Sequence, residues 1–166
     1  MNLKTVLTAL VIFPLILTAQ HFDSGLESLA EELAEKLNEK EKTKVAIWGF
    51  FTESDKHEDF GSYLTEDFSI YLGNYATNFG IIDRPHLKVI LKEHRLIADG
   101  LIDEKTTKKL GKISAADAII VGTYTILDNK IKIRVRILDT ETALQIGGVM
   151  RALSMNDDIA HLLGKL

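Results

Sequence analysis

The 166-residue chain contains no cysteine, only two prolines and a single tryptophan. Without cysteine the protein has no disulfide, no thiol nucleophile, no thiolate metal ligand and no leader cysteine to carry a lipid. A strong charge excess is also lacking, because 20 Lys and Arg stand against 24 Asp and Glu. The chain therefore has no overall positive electrostatic field of the kind that favours nucleic-acid binding. The hydrophobic fraction of 46% is typical of one ordinary globular domain.

Motifs for catalysis and nucleotide binding are missing from the sequence. Gly-x-Ser-x-Gly does not occur, and Gly147-Gly148 lies in a strand pattern, where it indicates a bulge or a close backbone contact. The five histidines show no two-ligand zinc spacing. The loop from Asp55 to Asp59 is typical of solvated surface, with a loosely held hard cation as the alternative. Trp48, Tyr63, Tyr71 and Tyr75 fall within core periodicities, and a sugar-stacking platform is the alternative for them. We therefore predict no catalytic residue, no cofactor and no metal, and a protein that is not an enzyme.

The first twenty residues lack the amphipathic pattern of a core helix. Lys4 supplies one positive charge, the apolar run from Val6 to Leu17 follows, and small residues end at Ala19. This order predicts a secretory signal peptide over residues 1–19, cleaved after Ala19. The apolar run is shorter than the roughly 20 residues that span a bilayer, and a retained membrane anchor is the alternative. The mature chain, residues 20–166, is then exported and carries no membrane span.

Helical and strand patterns alternate in the first part of the mature chain. Ser24-Gly25-Leu26-Glu27 has the form of a capping box, and apolar residues three and four apart follow it. Asp103 is suited to cap a short helix that ends at Leu110, where Gly111 supplies a left-handed stop. The predicted elements are a helix from Ser24, a buried strand at 44–51, a helix with Leu64 to Tyr75, a brief strand at 79–82, a helix opened by Asp83-Arg84-Pro85 and the short helix at 104–110.

Hairpins are predicted for the remainder, with strands at 118–127, 131–138 and 143–153 and a terminal helix capped by Asn156. In the middle strand, four apolar residues alternate with Lys132, Arg134 and Arg136, so one face is buried and the other is basic. The expected fold class is α/β (α+β). We expect a single domain with a mixed β-sheet of about five strands, helices packed on the sheet, and a C-terminal half of β-hairpins.

The distribution of charge is polarised along the chain. Between Asp23 and Asp67 there are 13 acidic and 5 basic residues, whereas 84–112 and 130–151 are predominantly basic. Solvated helix and sheet faces are one explanation for this pattern. The other is that Lys132, Arg134 and Arg136 are partner-binding residues, which meet an acidic surface of another protein or of a second copy.

Four blocks of the sequence carry a resemblance to a known family. They are Lys44-Val-Ala-Ile-Trp-Gly-Phe, Ile81-Ile-Asp-Arg, Leu110-Gly-x-x-x-Ala-Ala-Asp-Ala-Ile-Ile-Val-Gly-Thr-Tyr and Val135-Arg-Ile-Leu-Asp-Thr-Glu-Thr. In order and spacing these blocks resemble the periplasmic domain of FlgO-type envelope proteins and the curli production assembly/transport (CsgG) family. The resemblance covers about residues 26–153 and implies a compact α/β domain that binds other envelope components.

The resemblance also assigns scaffold positions. It places Asp83-Arg84 at a strand-to-helix junction, Glu93 in the next helix and Gly122 in a strand, and it puts Asp139 with Thr142 in a hairpin turn. The chain departs from the family at three points. The lipoprotein cysteine common among relatives is missing, Ala143 stands where the turn usually has glycine, and Ser114 replaces a common glycine. The missing cysteine leaves association with the outer membrane open.

These observations give one functional expectation and one alternative. We expect an exported, non-catalytic accessory protein of the bacterial envelope that acts through protein–protein contacts in the assembly or secretion of surface structures. Its location is the periplasm and its partners are envelope proteins, with a homo-oligomer as a further option because the relatives build rings. The alternative is a periplasmic small-ligand or cell-wall-associated sensor module, which a closed apolar pocket with a few polar groups would favour.

Overall fold

The structure is a computed structural model that describes residues 22–52, 58–83, 85, 87 and 102–165. Nine elements follow one another in the described residues: α1 (Phe22–Glu39), β1 (Lys44–Phe51), α2 (Glu58–Asn74), β2 (Gly80–Ile81), α3 (Glu104–Ser114), β3 (Ala118–Ile126), β4 (Lys130–Asp139), β5 (Gln145–Ser154) and α4 (Asp157–Leu162). The strands form one open sheet in the order β2-β1-β3-β4-β5. β1 runs parallel to β2 and β3, and β3, β4 and β5 are joined as antiparallel hairpins. The predicted mixed sheet and the single α+β domain are confirmed.

Apolar residues are buried on both faces of the sheet. α1 and α2 cover one face, where Leu26, Leu33, Leu64 and Phe68 pack against alternate residues of β1, β3 and β4. On the other face, Leu110 of α3 packs with Trp48 and residues of β1 and β3 in a second, smaller cluster. β1 lies between β2 and β3 and is buried on both faces, which explains why its sequence is apolar without alternation.

A bulge in β1 reverses the direction of its later side chains. Ile47 lies opposite Ile120 of β3 and Gly49 lies opposite Val121, so Trp48 is an extra residue in the strand. Because of this extra residue, Phe50 returns to the face that α1 and α2 cover. Strict alternation would have placed it on the face of Trp48. The sequence pattern carries no sign of this bulge.

Several predicted boundaries are confirmed. The buried strand β1 occupies residues 44–51 as expected. The carboxylate of Asp103 accepts a hydrogen bond from the backbone N–H of Thr106 at 2.7 Å and caps α3. The side chain of Asn156 accepts from the N–H of Ile159 at 2.9 Å and caps α4. Both caps satisfy amides that have no partner within the helix.

Two predicted helix ends are wrong. The capping box at Ser24 does not begin α1, because the helix already includes Phe22. The ring of Phe22 is fully buried and lies 6.1 Å from that of Phe60 between centroids, so extending the helix buries a large aromatic side chain. Gly111 does not stop α3, which continues to Ser114 and ends where Ala115 adopts a left-handed φ of 55°.

Some predictions fall on residues outside the described ranges. These are the signal peptide with Ala19, residues 55–57 of the loop predicted at Asp55 to Asp59, and Arg84, His86, Glu93 and His94. The last two residues of that predicted loop, Glu58 and Asp59, instead begin α2. Pro85 and Leu87 are helical, and Leu87 is buried.

Gly111 is needed for close packing, and its replacement tests this role. A Cβ at position 111 would overlap the side chain of Thr140. Alanine stabilises a helix interior by about 1 kcal/mol over glycine, but we expect Gly111→Ala to lower the free energy of unfolding by at least about 1 kcal/mol. Gly73→Ala in α2 is the matched control, because its Cβ would meet only Ile81 at 3.9 Å. Urea unfolding should move the two variants in opposite directions, and equal stabilisation of both would contradict the packing role.

Candidate functional site

The basic residues of β4 lie together on one face of the sheet. The alternating residues Ile131, Ile133, Val135 and Ile137 are at most 1% exposed and belong to the core beneath α1 and α2. Lys132, Arg134 and Arg136 therefore project from the opposite face, about 7 Å apart along the strand, and all three are half-buried. We call these three residues the basic strip. The structure thus brings together the three positions that the sequence singled out.

The neighbouring strands present no carboxylate opposite the basic strip. Residues opposite the strip in β3 are Val121, Thr123 and Thr125, and those in β5 are Gly148, Met150 and Ala152. The guanidinium of Arg134 donates a hydrogen bond to Oγ1 of Thr125 at 3.1 Å, which holds it along the sheet. Met150 is 58% exposed beside it. The cross-strand neighbours leave the positive charge of the strip available to a partner.

An open groove of about 770 Å³ runs over this face, lined by the strip's two arginines and by residues 145–150 of β5. Gly147 and Gly148 form part of the floor of the groove. At Gly148 the two strands are so close that a Cβ would lie 2.8 Å from the carbonyl oxygen of Val135. A register shift in the β4–β5 ladder leaves Ile146 between the paired residues Gln145 and Gly147. Of the two alternatives predicted for Gly147-Gly148, the close backbone contact is confirmed at Gly148, whereas the bulge lies just before the pair, at Ile146.

Two carboxylates connect neighbouring segments at the end of the sheet where β1 begins and β4 ends. Asp117 accepts hydrogen bonds from the N–H and hydroxyl of Thr43 at 2.9 and 3.0 Å, and from the N–H of Lys44 at 3.1 Å. Asp139 accepts from the ammonium of Lys42 at 2.5 Å. We call Asp117 and Asp139 the carboxylate joint. It ties the start of β1 to the start of β3 and to the β4–β5 turn.

Asp139 also organises the turn that follows it. Its second carboxylate oxygen accepts from the N–H groups of Glu141 and Thr142 at 3.1 and 2.7 Å, and from the Thr142 hydroxyl at 2.8 Å. The hydrogen bond from Lys42 is the main cause that lowers the pKa of Asp139 from 3.8 to about 2, and the hydrogen bonds from Thr142 act in the same direction. The hairpin turn that the resemblance implied is confirmed. Ala143 adopts a left-handed φ of 61°, which explains why glycine suits this position.

The lysine and one aspartate of this region were missed by sequence reasoning. Lys42 is 97 residues from its partner Asp139, and Asp117 is 74 residues from its partner Thr43, so no sequence spacing indicates either interaction. The signal that could have found Asp117 is its place directly before the buried strand β3, where it can cap the backbone of a parallel neighbour. Because both carboxylates accept several hydrogen bonds from other segments of the chain, the carboxylate joint stabilises the fold.

The aromatic residues considered for stacking lie against the core. Trp48 is 1% exposed, and Tyr63, Tyr71 and Tyr75 are partly buried beside α1 and α2. Burial is the main cause that raises the pKa of Tyr63, and its hydrogen bond with Asp67 adds to this. The packing interpretation of these residues is confirmed. Within the described ranges, no three His, Asp or Glu side chains lie close enough to hold a metal ion.

None of the helices in the described part of the chain has a stretch long and apolar enough to cross a membrane. The groove, the basic strip and the carboxylate joint all belong to the one sheet.

Comparison with solved structures gives the fold. The chain is similar to the LpoB C-terminal domain from Salmonella enterica, with a TM-score of 0.62, 14% identity and coverage of 78% of this chain and 98% of that one. It is similar to LpoB from E. coli, with a TM-score of 0.60, 11% identity and coverage of 94% and 80%. For lipoprotein GNA1162 from Neisseria meningitidis the TM-score is 0.57 at 12% identity, covering 74% and 90%. No curated protein matches the sequence significantly.

Likenesses at such low identity show the fold alone, whereas the sequence itself shows the family. The profile of the family described as curli production assembly/transport component CsgG matches residues 26–135. This range runs from the second turn of α1 into β4 and includes Asp117 and the basic strip's Lys132 and Arg134. More than half of the chain is matched, and the chain belongs to the CsgG family.

Proposed function

We propose that the protein is an exported, non-catalytic accessory protein of the bacterial envelope, which acts through protein–protein contacts in the assembly or secretion of surface structures. The observation that carries this proposal is the basic strip, Lys132, Arg134 and Arg136, on a sheet face with Met150 exposed beside it. The family's description as an assembly and transport component supports the process. The structural neighbour GNA1162 is a lipoprotein, which supports an envelope location.

The chemistry of the strip favours an acidic protein surface as the partner. Two of its three cations are arginines, whose planar guanidinium groups form paired hydrogen bonds with carboxylates. The residues opposite them in β3 and β5 are uncharged, so a partner would supply the compensating negative charge. The adjacent Met150 offers a flexible apolar contact of the kind enriched at interfaces.

The shape of the groove favours a protein over a small ligand. The sensor module considered as the alternative calls for a closed apolar pocket with convergent polar groups. The groove over the basic strip lies open along β4 and β5, with backbone glycines in its floor. An open, charged groove of this form suits an extended or convex protein surface.

Charge reversal of the basic strip tests the proposal. We expect Lys132→Glu, Arg134→Glu and Arg136→Glu together to reduce recovery of cross-linked envelope partners at least about tenfold, because attraction becomes repulsion. The matched control is Lys40→Glu, Lys105→Glu and Lys112→Glu, which makes the same change of net charge at exposed positions elsewhere. The partners are identified by mass spectrometry after cross-linking in cells.

Wild type and the control should recover the same defined envelope proteins, and recovery should fall as the salt concentration rises. Far-ultraviolet circular dichroism would verify that the strip variant is folded. If the folded strip variant recovered the same partners in the same amounts as wild type, the proposed contact surface would be wrong.

A further inference from the structure

Among the residues that the structure describes, the outer edge of the sheet at β5 is open to another strand. β5 is ten residues long and pairs with β4 on one side, and no strand in the described part of the chain pairs with its other side. Exposed edges are ordinarily protected by proline, by lysine or by a covering element. β5 contains no proline, and its single charged residue is Arg151. The bulge at Ile146 protects only the beginning of the strand.

Arg151 does not protect this edge, because its side chain turns towards α1. One terminal nitrogen donates a hydrogen bond to the hydroxyl of Ser28 at 2.6 Å, and the other lies 3.4 Å from a carboxylate oxygen of Glu32. On the opposite face of the strand, Met150 and Ala152 are exposed. From Gly148 to Ser154 the edge therefore offers backbone hydrogen-bonding groups that no described strand pairs with, flanked by small or apolar side chains.

We propose that β5 pairs with β5 of a second copy, antiparallel, about a two-fold axis at Met150. In this register Met150 faces its own counterpart, Gly148 faces Ala152, and Val149 faces Arg151. Every pair is sterically modest and none places like charges opposite each other. A register centred on Arg151 would place two guanidinium groups opposite each other, which destabilises strand pairing.

Charge complementarity on the α1 side of the sheet also favours a second copy of the chain as the partner of this edge. Glu32 lies beside Arg151, and Lys36, one helical turn further, lies 3.8 Å from the carboxylate of Glu32. The flank of α1 that borders β5 thus carries both signs of charge. A two-fold axis turns this flank towards its own copy, where Glu32 can meet Lys36 or Arg151 of the second copy. A self-complementary flank of this kind suits an interface between identical chains.

Repulsion between the two basic strips does not prevent this arrangement. Two β5 strands would separate one β4 from the other, a distance of about 14 Å at the usual strand spacing. This exceeds the screening length of about 8 Å at physiological ionic strength. The pair forms one continuous ten-stranded sheet with both basic strips on the same face. This inference does not depend on the proposed function, because it concerns the edge of the sheet and not the partner of the strip.

The first test places a charge at the centre of the proposed interface. Sedimentation analysis of the purified protein should show a concentration-dependent dimer. Met150→Lys should raise the dimer dissociation constant at least about tenfold, because two ammonium groups would meet at the axis. Ile70→Lys is the matched control, since Ile70 is 66% exposed on α2, and it should leave the dimer unchanged. A wild-type protein that stays monomeric at all concentrations overturns the proposal.

The second test uses the absence of cysteine from the chain. Directly opposed residues of antiparallel strands have Cα atoms about 4.5–5.5 Å apart, within the range of a disulfide. Met150→Cys should therefore form a disulfide-linked dimer on mild oxidation, at least about tenfold faster than Ser62→Cys on the exposed side of α2. A dimeric protein that cross-links equally at both positions, or whose edge cross-links to a different protein, would place another partner there and overturn the proposal.

Discussion

Replacement of Asp139 by alanine is expected to lower the free energy of unfolding by about 3 kcal/mol. The carboxylate is 8% exposed and accepts hydrogen bonds from Lys42, Glu141 and Thr142. Removing it leaves the ammonium of Lys42, whose side chain is 20% exposed, without its anion, and leaves the turn amides without their acceptor. Urea unfolding of the variant beside wild type measures the loss.

Asp128→Ala is the matched control for this prediction. Asp128 lies in the exposed β3–β4 turn, and its replacement should change the free energy of unfolding by no more than about 0.5 kcal/mol. If Asp139→Ala were as stable as the control, the hydrogen bonds of Asp139 would contribute nothing to the stability of the fold, and this prediction would be wrong.

The same carboxylate gives a dependence on pH with a definite sign. The pKa of Asp139 is lowered in the folded protein to about 2 from its usual 3.8. The folded state therefore binds this proton less readily than the unfolded state, and the ionised carboxylate contributes stability that is fully present above about pH 4. This contribution is lost as the pH falls from about 4 to about 2. In Asp139→Asn that part of the acid dependence should be missing from the unfolding curves.

Gly122→Val is expected to lower the free energy of unfolding by about 3 kcal/mol. A Cβ at position 122 would overlap the ring of Phe50 on the adjacent strand. The ring has little room to move, because it packs edge-on against Phe68 with centroids 5.1 Å apart. The backbone of Phe50 is held as well, since its N–H donates to the hydroxyl of Thr65 at 3.1 Å. Calorimetry or urea unfolding measures the effect.

The matched control is Gly80→Val in the edge strand β2. A Cβ there would meet no atom within 4 Å, and valine suits an extended backbone, so the stability should stay equal or rise slightly. Equal effects at the two positions would mean that the general strand preference, and not the Phe50 ring, decides the cost. The resemblance assigned Gly122 to the scaffold, and the Phe50 ring supplies the physical reason.

Much of the fold could be predicted because the helices and β4 each bury one face, which leaves a periodic pattern in the sequence. In β4, apolar residues alternate with Lys132, Arg134 and Arg136, and this period of two required a strand with one buried face. Asp103 and Asn156 cap their helices through hydrogen bonds that reach only three residues along the chain. Interactions this short are readable from sequence, because the partners are always close in space.

The features that sequence reasoning missed depend on residues far apart in the chain. The bulge at Trp48 arises from pairing with β3, more than 70 residues later. Gly111 resembled a helix stop because glycine has that role in isolated helices, but here it makes room for Thr140. α1 begins before the capping box at Ser24, because the additional helical residues bury the ring of Phe22 against that of Phe60.

For the candidate site, the sequence by itself determined that Lys132, Arg134 and Arg136 share one face, because a strand's side chains alternate whatever packs around it. It also determined family membership through short blocks in a fixed order. Only the tertiary structure decided that uncharged residues of β3 and β5 lie opposite these cations, that Lys42 meets Asp139 at the end of the sheet, and that no described strand pairs with the outer side of β5. Strand order and register set these outcomes, and both are fixed by contacts between segments that the chain sequence does not place side by side.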